Sequence, residues 1–125
     1  MQKQQNIIKS YINAYNNFGI DGMLATLDES IVFENITDGK LTMTLKGINE
    51  FKIQAEYGKA LFSSRRQTIT DFKDASQHTE IEINYHAVLA TDLPNGMKKG
   101  HELNLKGRSI FKFTENKIVY IRDES

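Results

Sequence analysis

Ile7, Ile8, Tyr11, Ile12, Tyr15 and Phe18 recur at three- and four-residue intervals, which puts one wide apolar stripe on an amphipathic helix. Gly19 offers that helix a stop, and Asp21 is placed to cap a second, short helix carrying Met23, Leu24 and Leu27. Near Ser30 the period changes to two. Alternation through Glu29–Asp38 sends Ile31, Phe33 and Asn35 to one face and Val32, Glu34 and Ile36 to the other, so a carboxamide follows two apolar side chains toward the interior. Thr37-Asp38-Gly39-Lys40 supplies the chemistry of a tight hairpin, and Leu41 to Leu45 alternates as the returning strand. Gly47 introduces a third helix lined by Ile48, Phe51, Ala55 and Phe62 and widened by Ile53, Tyr57 and Leu61. That spacing predicts burial over more than half of its circumference.

From Arg65 onward alternation dominates, in segments running Arg65 to Lys73, Thr79 to Thr91, Met97 to Phe113 and Lys117 to Asp123. Turn-forming residues separate them, so consecutive strands make an antiparallel meander. Gly100 and Gly107 fall inside the longest segment and are expected to mark bends or bulges that curl the sheet. Helices first and a large sheet last predict an α+β fold, one domain over residues 1–125, with three N-terminal helices packed on a strongly curved antiparallel sheet. A curled sheet closed by helices encloses a cone. Such a cone is either filled by core side chains or left partly open for a ligand.

Composition narrows the classes. With 125 residues a core can be buried without staples, and with no cysteine there are no disulfides, thiolate metal sites or thiol nucleophiles. The 16 basic and 16 acidic residues cancel, which argues against nucleic acid or anionic lipid as a partner. Arg65-Arg66 and Lys98-Lys99 are read as solvating strand ends. No run resembles a signal peptide or a membrane span, so the chain is expected to be cytoplasmic, and the sequon Asn35-Ile36-Thr37 then carries no weight. Three histidines without close paired spacing make no metal site, and no phosphate loop, HExxH or nucleophile elbow is present. No cofactor is expected.

The order of elements resembles the NTF2-like superfamily with its cystatin-like cone, and within it the SnoaL-like and ketosteroid-isomerase-like branch. The stretches that carry the resemblance are Ile20-Asp21-Gly22-Met23-Leu24, Ile31-Val32-Phe33-Glu34-Asn35, Leu45-Lys46-Gly47-Ile48, and Gly107 to Phe113 running into Asn116-Lys117-Ile118-Val119. The resemblance implies a conical cavity and frequently a homodimer through the outer sheet face, but it fixes no reaction. It sets Tyr11 where ketosteroid isomerases carry an oxyanion-hole tyrosine. Asn35 stands where they carry the proton-moving aspartate, and Ser109 where they carry a protonated aspartic acid.

An amide does not titrate near neutral pH, so Asn35 binds or orients but does not store a proton. Glu34 faces away by alternation, Asp38 belongs to the turn, and His86 shares a face with Asn84 and Val88. His101 shares parity with Ser109 and Phe111, and Asp123 sits where some members of the family carry an acid in the cleft. Plain structural alternatives stand beside these: Tyr11 as a core residue of its stripe, Asn35 as a strand-end cap, Ser109 as a small residue packed on the first helix. The leading expectation is a SnoaL-like protein binding a small, mostly apolar molecule through Tyr11, Tyr15, Phe33, Asn35 and Phe111, with Ser109 nearby. The alternative is an isomerase, cyclase or dehydratase with His101 or Asp123 as base and Tyr11 as oxyanion donor. A second alternative is an association domain using the outer face around Lys106, Arg108, Ile110 and Lys112.

Overall fold

The computed structural model describes residues 2–125. It contains helices α1 (Gln2–Asn16), α2 (Ile20–Leu24) and α3 (Ile48–Leu61), and strands β1 (Leu27–Thr37), β2 (Lys40–Lys46), β3 (Phe62–Asp74), β4 (Thr79–Leu89), β5 (Glu102–Thr114) and β6 (Lys117–Glu124). The strands form a curled, unclosed sheet in the order β2-β1-β6-β5-β4-β3. The expected meander is present as β3 to β6, and the hairpin β1–β2 joins it through a parallel pairing of β1 with β6. The sheet is therefore mixed at that seam. No helix among the described residues is long and apolar enough to cross a membrane.

The helical stripe does what its period dictates. Ile8, Tyr11 and Ile12 of α1 are buried against Phe51 of α3 and against Ile31, Ile81, Phe111, Ile118 and Ile121 of the sheet. α1 ends in a Schellman arrangement, with the Gly19 N–H donating to the Ala14 carbonyl at 2.7 Å and the Phe18 N–H to Tyr15 at 3.1 Å. The left-handed residue is Phe18, at φ 57°, and not the glycine after it. Asp21 lies in the first turn of α2, where Gly19 holds the cap position, so it makes no side-chain cap. The hairpin uses Asp38 and Gly39, both at positive φ, as a type I′ turn requires. Gly47, at φ 89°, donates its N–H to the Ile31 carbonyl at 2.7 Å and so ties the start of α3 to β1.

Three expectations need correction. α3 buries only Phe51 fully, while Ile53 and Tyr57 are 71% and 61% exposed, because the helix meets the sheet along one stripe and turns its opposite side to solvent. The segment expected to begin at Met97 opens as a turn: Gly100 lies in the loop at φ 88° and β5 starts at Glu102. Gly107 is no bulge, since the β4–β5 register runs through it without a shift. It is a close approach: a Cβ there would stand 2.7 Å from the Glu124 carbonyl oxygen.

That crowding gives a stability prediction. Gly107→Ala should destabilise by roughly 1–3 kcal/mol, because backbone and not a flexible side chain is in the way. Gly58→Ala, inside α3, should be neutral or stabilising by up to about 1 kcal/mol. Urea unfolding of both variants checks the contrast; equal stability of Gly107→Ala and the parent would contradict it.

Candidate functional site

Sheet register assembles the site. On β6 an extra residue, Val119, interrupts the pairing with β5, so Ile118 and Ile121 both face the core although they differ in parity. Beyond this bulge Asp123 shares the inward face of Ile121. It pairs with Asn35 on the β1 side and with Ser109 on the β5 side. The three side chains form one row across neighbouring strands, and the row beneath it is Phe33, Ile121 and Phe111.

These rows bound a cavity of about 290 Å³ between the helices and the sheet. Its walls are mostly apolar, including Met23, Phe33, Leu45, Phe51 and Ile83. Polar groups converge on it from Tyr11, Tyr15, Asn35, Arg65, Tyr85, Ser109 and Asp123, and Gln54, Gln67, Lys106, Arg108, Glu124 and Ser125 also belong to its lining. An apolar concavity on which polar groups converge is the usual constitution of a small-molecule site.

Asp123 is the chemically distinctive member. Ser109 Oγ donates to its Oδ1 at 2.6 Å. Burial pushes its pKa up to about 6, and the Ser109 hydrogen bond only partly opposes that rise. Tyr11 is buried between Phe51 and Phe111, with ring centroids 6.4 and 6.0 Å away. Its hydroxyl has no hydrogen-bond partner among the described residues. Burial, reinforced by the charge of Asp123 and countered by Arg65, holds the phenol far above its ordinary range, so it stays an O–H donor at every working pH. Tyr15 and Tyr85 hydrogen-bond to each other at 2.9 Å, and burial raises both.

Asn35 lines the cavity, but its amide has structural employment. Nδ2 donates to Thr42 Oγ1 at 2.8 Å and to Thr37 Oγ1 at 3.1 Å, and Thr42 returns a bond to the Asn35 carbonyl at 3.2 Å. Thr42 is the extra residue where the β1–β2 register shifts, so the asparagine pins a bulge. Tyr11, Tyr15, Phe33 and Ser109 also line the cavity. Phe111 does not: fully buried under Tyr11, it is floor and not wall. His101 is exposed in the loop before β5 and outside the lining, because the segment that would have carried it inward is turn and not strand.

Tyr85 and Arg65 join the polar lining without being candidates from the sequence, as do Gln54, Gln67, Glu124 and Ser125. Tyr85 was legible from its shared parity with Ile83 and Ala87. Arg65 was hidden in a basic pair that resembled an exposed strand end; the structure buries it to 6% exposure, with Nε donating to the Tyr15 carbonyl at 3.0 Å. Among the described residues no group of three histidines, cysteines or carboxylates is placed to hold a metal.

No protein-family model matches the chain, and no curated protein matches it by sequence. Solved structures do match. A candidate SnoaL-like polyketide cyclase from Jannaschia sp. CCS1 superposes with a TM-score of 0.79 at 8% identity, over 98% of this chain and 84% of that one. An LEH-like epoxide hydrolase from M. tuberculosis gives 0.78 at 14%, over 98% and 82%. A protein of ketosteroid-isomerase-like fold from Catenulispora acidiphila, in complex with trimethylamine, gives 0.75 at 14%, over 94% and 82%. The fold is that of the SnoaL-like and NTF2-like proteins. At these identities the likeness establishes the cone and leaves the chemistry to its lining.

The raised Asp123 has a thermodynamic signature. The folded protein holds this proton to about pH 6, whereas the unfolded chain releases it near the ordinary value of 3.8. The folded state therefore binds more protons between those limits, and stability falls as pH rises through them, by on the order of 3 kcal/mol in total. Asp123→Asn keeps an acceptor for Ser109 and cannot ionise, so it should gain that much relative to the parent between about pH 4 and pH 7. Urea unfolding across that range measures it; parallel pH profiles for the two proteins would refute a raised Asp123.

Proposed function

We propose that this SnoaL-like protein binds a small, mostly apolar carbonyl compound in its cone and moves a proton on it with Asp123. The observation that carries the reading is a cavity carboxylate, fixed by Ser109 and lifted by burial to a pKa of about 6, sharing its cavity with a free phenol. A base of that strength is poised near neutral pH. Asp123 takes the proton from the carbon beside the carbonyl, Tyr11 donates a hydrogen bond to the oxygen on which negative charge develops, and the carboxylic acid returns the proton. Ser109 acts through Asp123 as a positioning residue. Asn35, with its donors engaged by Thr37 and Thr42, shapes the wall beside the acid.

Association through the outer sheet face belongs to the same reading. That face carries Ile110 among Lys106, Arg108 and Lys112, and Arg108 is ion-paired to Glu124 at 3.0 Å and to Glu80 at 3.6 Å. Its modest apolar content suits a small interface. The cysteine-free composition suits a reducing cytoplasm, where we place the activity.

β-Tetralone, an apolar ketone with acidic C–H bonds, tests the chemistry. Its deuteration in heavy water, followed by proton NMR, should be accelerated by the protein, with a rate rising through about pH 6. Asp123→Asn should cut the acceleration roughly 100-fold or more, and Tyr11→Phe by about 100-fold. Asn35→Asp would set a second carboxylate one strand spacing, about 5 Å, from Asp123 and should move the inflection to higher pH. Exchange no faster than in buffer would sink the proton-transfer reading. Sedimentation velocity should show a dimer, and a monomer at every concentration would remove the association.

A further inference from the structure

We propose that the cavity is built for an apolar molecule bearing a carboxylate, which docks on Arg65 while the rest of the molecule extends toward Asp123. This rests on the small-molecule reading above and names the class of ligand.

Arg65 is a buried cation without a counter-charge among the described residues. Its guanidinium lies 3.8 Å from the ring centroid of Tyr15 and 4.6 Å from that of Phe18. Nε is spent on the last turn of α1 through the Tyr15 carbonyl. Nη1 and Nη2 have no hydrogen-bond partner among the described residues, no carboxylate there lies within ion-pair distance, and Nη2 is wholly buried. Capping a helix end accounts for Nε and for the stacked rings. It leaves Nη2 desolvated and unpaired, which costs stability unless something else meets it, and leaves Nη1, its partner in the fork that matches a carboxylate, without a hydrogen bond among the described residues.

The surroundings fit an incoming group. Arg65 lines the cavity together with Gly58 of α3, which stands beside Nη1: a Cβ there would be 4.0 Å from that nitrogen. Phe18 accepts a left-handed backbone, unfavourable for a non-glycine residue, and its ring lies against the guanidinium. Tyr11 and Tyr85 each feel both the charge of Asp123 and that of Arg65, so both phenols are near the two charged groups. Of the other cations in the lining, Arg108 is already paired with Glu124 and Lys106 is exposed, so the anionic end of a ligand is favoured at Arg65 and away from Asp123.

Matched probes test this. 2-Naphthoate and 2-acetonaphthone share a ring system and differ in carrying a carboxylate or a neutral ketone; both are titrated calorimetrically at about pH 8, where the naphthoate is ionised. The full-length protein should bind naphthoate at least about 10-fold more tightly, the worth of a charge-assisted pair. Arg65→Met should abolish that preference while leaving acetonaphthone binding within a few-fold, and Arg65→Lys should keep part of it. Should Arg65→Met fail to fold for want of its bond to α1, the parent comparison and Arg65→Lys still decide. Acetonaphthone binding with no advantage for naphthoate overturns the carboxylate assignment and leaves the cavity reading intact. Binding of neither probe overturns both.

Discussion

β6 lies between a parallel neighbour, β1, and an antiparallel one, β5, and the register it keeps with both decides what the cavity contains. One surplus residue, Val119, shifts the phase of the strand, so that Asp123 follows Ile121 inward. The polar relations of Asp123 then hang on that phase. Ser109 reaches the carboxylate because it stands directly across the ladder, and Asn35 flanks it because the parallel pairing brings β1 level. The carboxylates that ketosteroid isomerases are expected to keep on the two flanking strands are absent here. An acid occupies the strand between those positions instead.

Burying that acid and Arg65 in one small cavity is unfavourable to the fold, and the structure shows where the difference is recovered. The floor is continuous hydrocarbon and aromatic ring, with Ile8, Ile31, Ile81, Phe111, Ile118 and Ile121 almost wholly removed from water. Burial of that order, at roughly 25 cal/mol per Å² of apolar surface, lets a chain of 125 residues tolerate ionisable groups with few partners. The layers are thus divided in labour. The lower rows hold the cone together, and the upper row, set on the same strands two residues further along, is free to carry chemistry.

Much of this was legible in the chain and some was not, for identifiable reasons. The stripe Ile8-Tyr11-Ile12 and the turn Asp38-Gly39 reported on interactions a few residues apart, which sequence period captures. The run Ile118-Val119-Tyr120-Ile121 is apolar throughout, so it holds no phase information, and whether Asp123 points in or out is settled only by pairing with strands distant in sequence. Arg65 was missed because a charge at the start of a strand ordinarily faces water, and the aromatic rings that bury it come from another element. Ile53 and Tyr57 erred the other way: apolar residues at helical spacing were read as core, yet α3 has sheet on only one side.

The bulge at Thr42 has a further implication for the asparagine beside the acid. Because both threonine hydroxyls draw on its nitrogen, what Asn35 has left to present is Oδ1, a lone-pair oxygen. Tyr11 offers the opposite, a hydrogen in search of an acceptor. The two polar positions thus make unlike demands on a guest: an oxygen atom toward the helix, and a hydroxyl or amine hydrogen toward the hairpin. A molecule satisfying both would have a head and a tail, told apart by hydrogen-bond polarity alone.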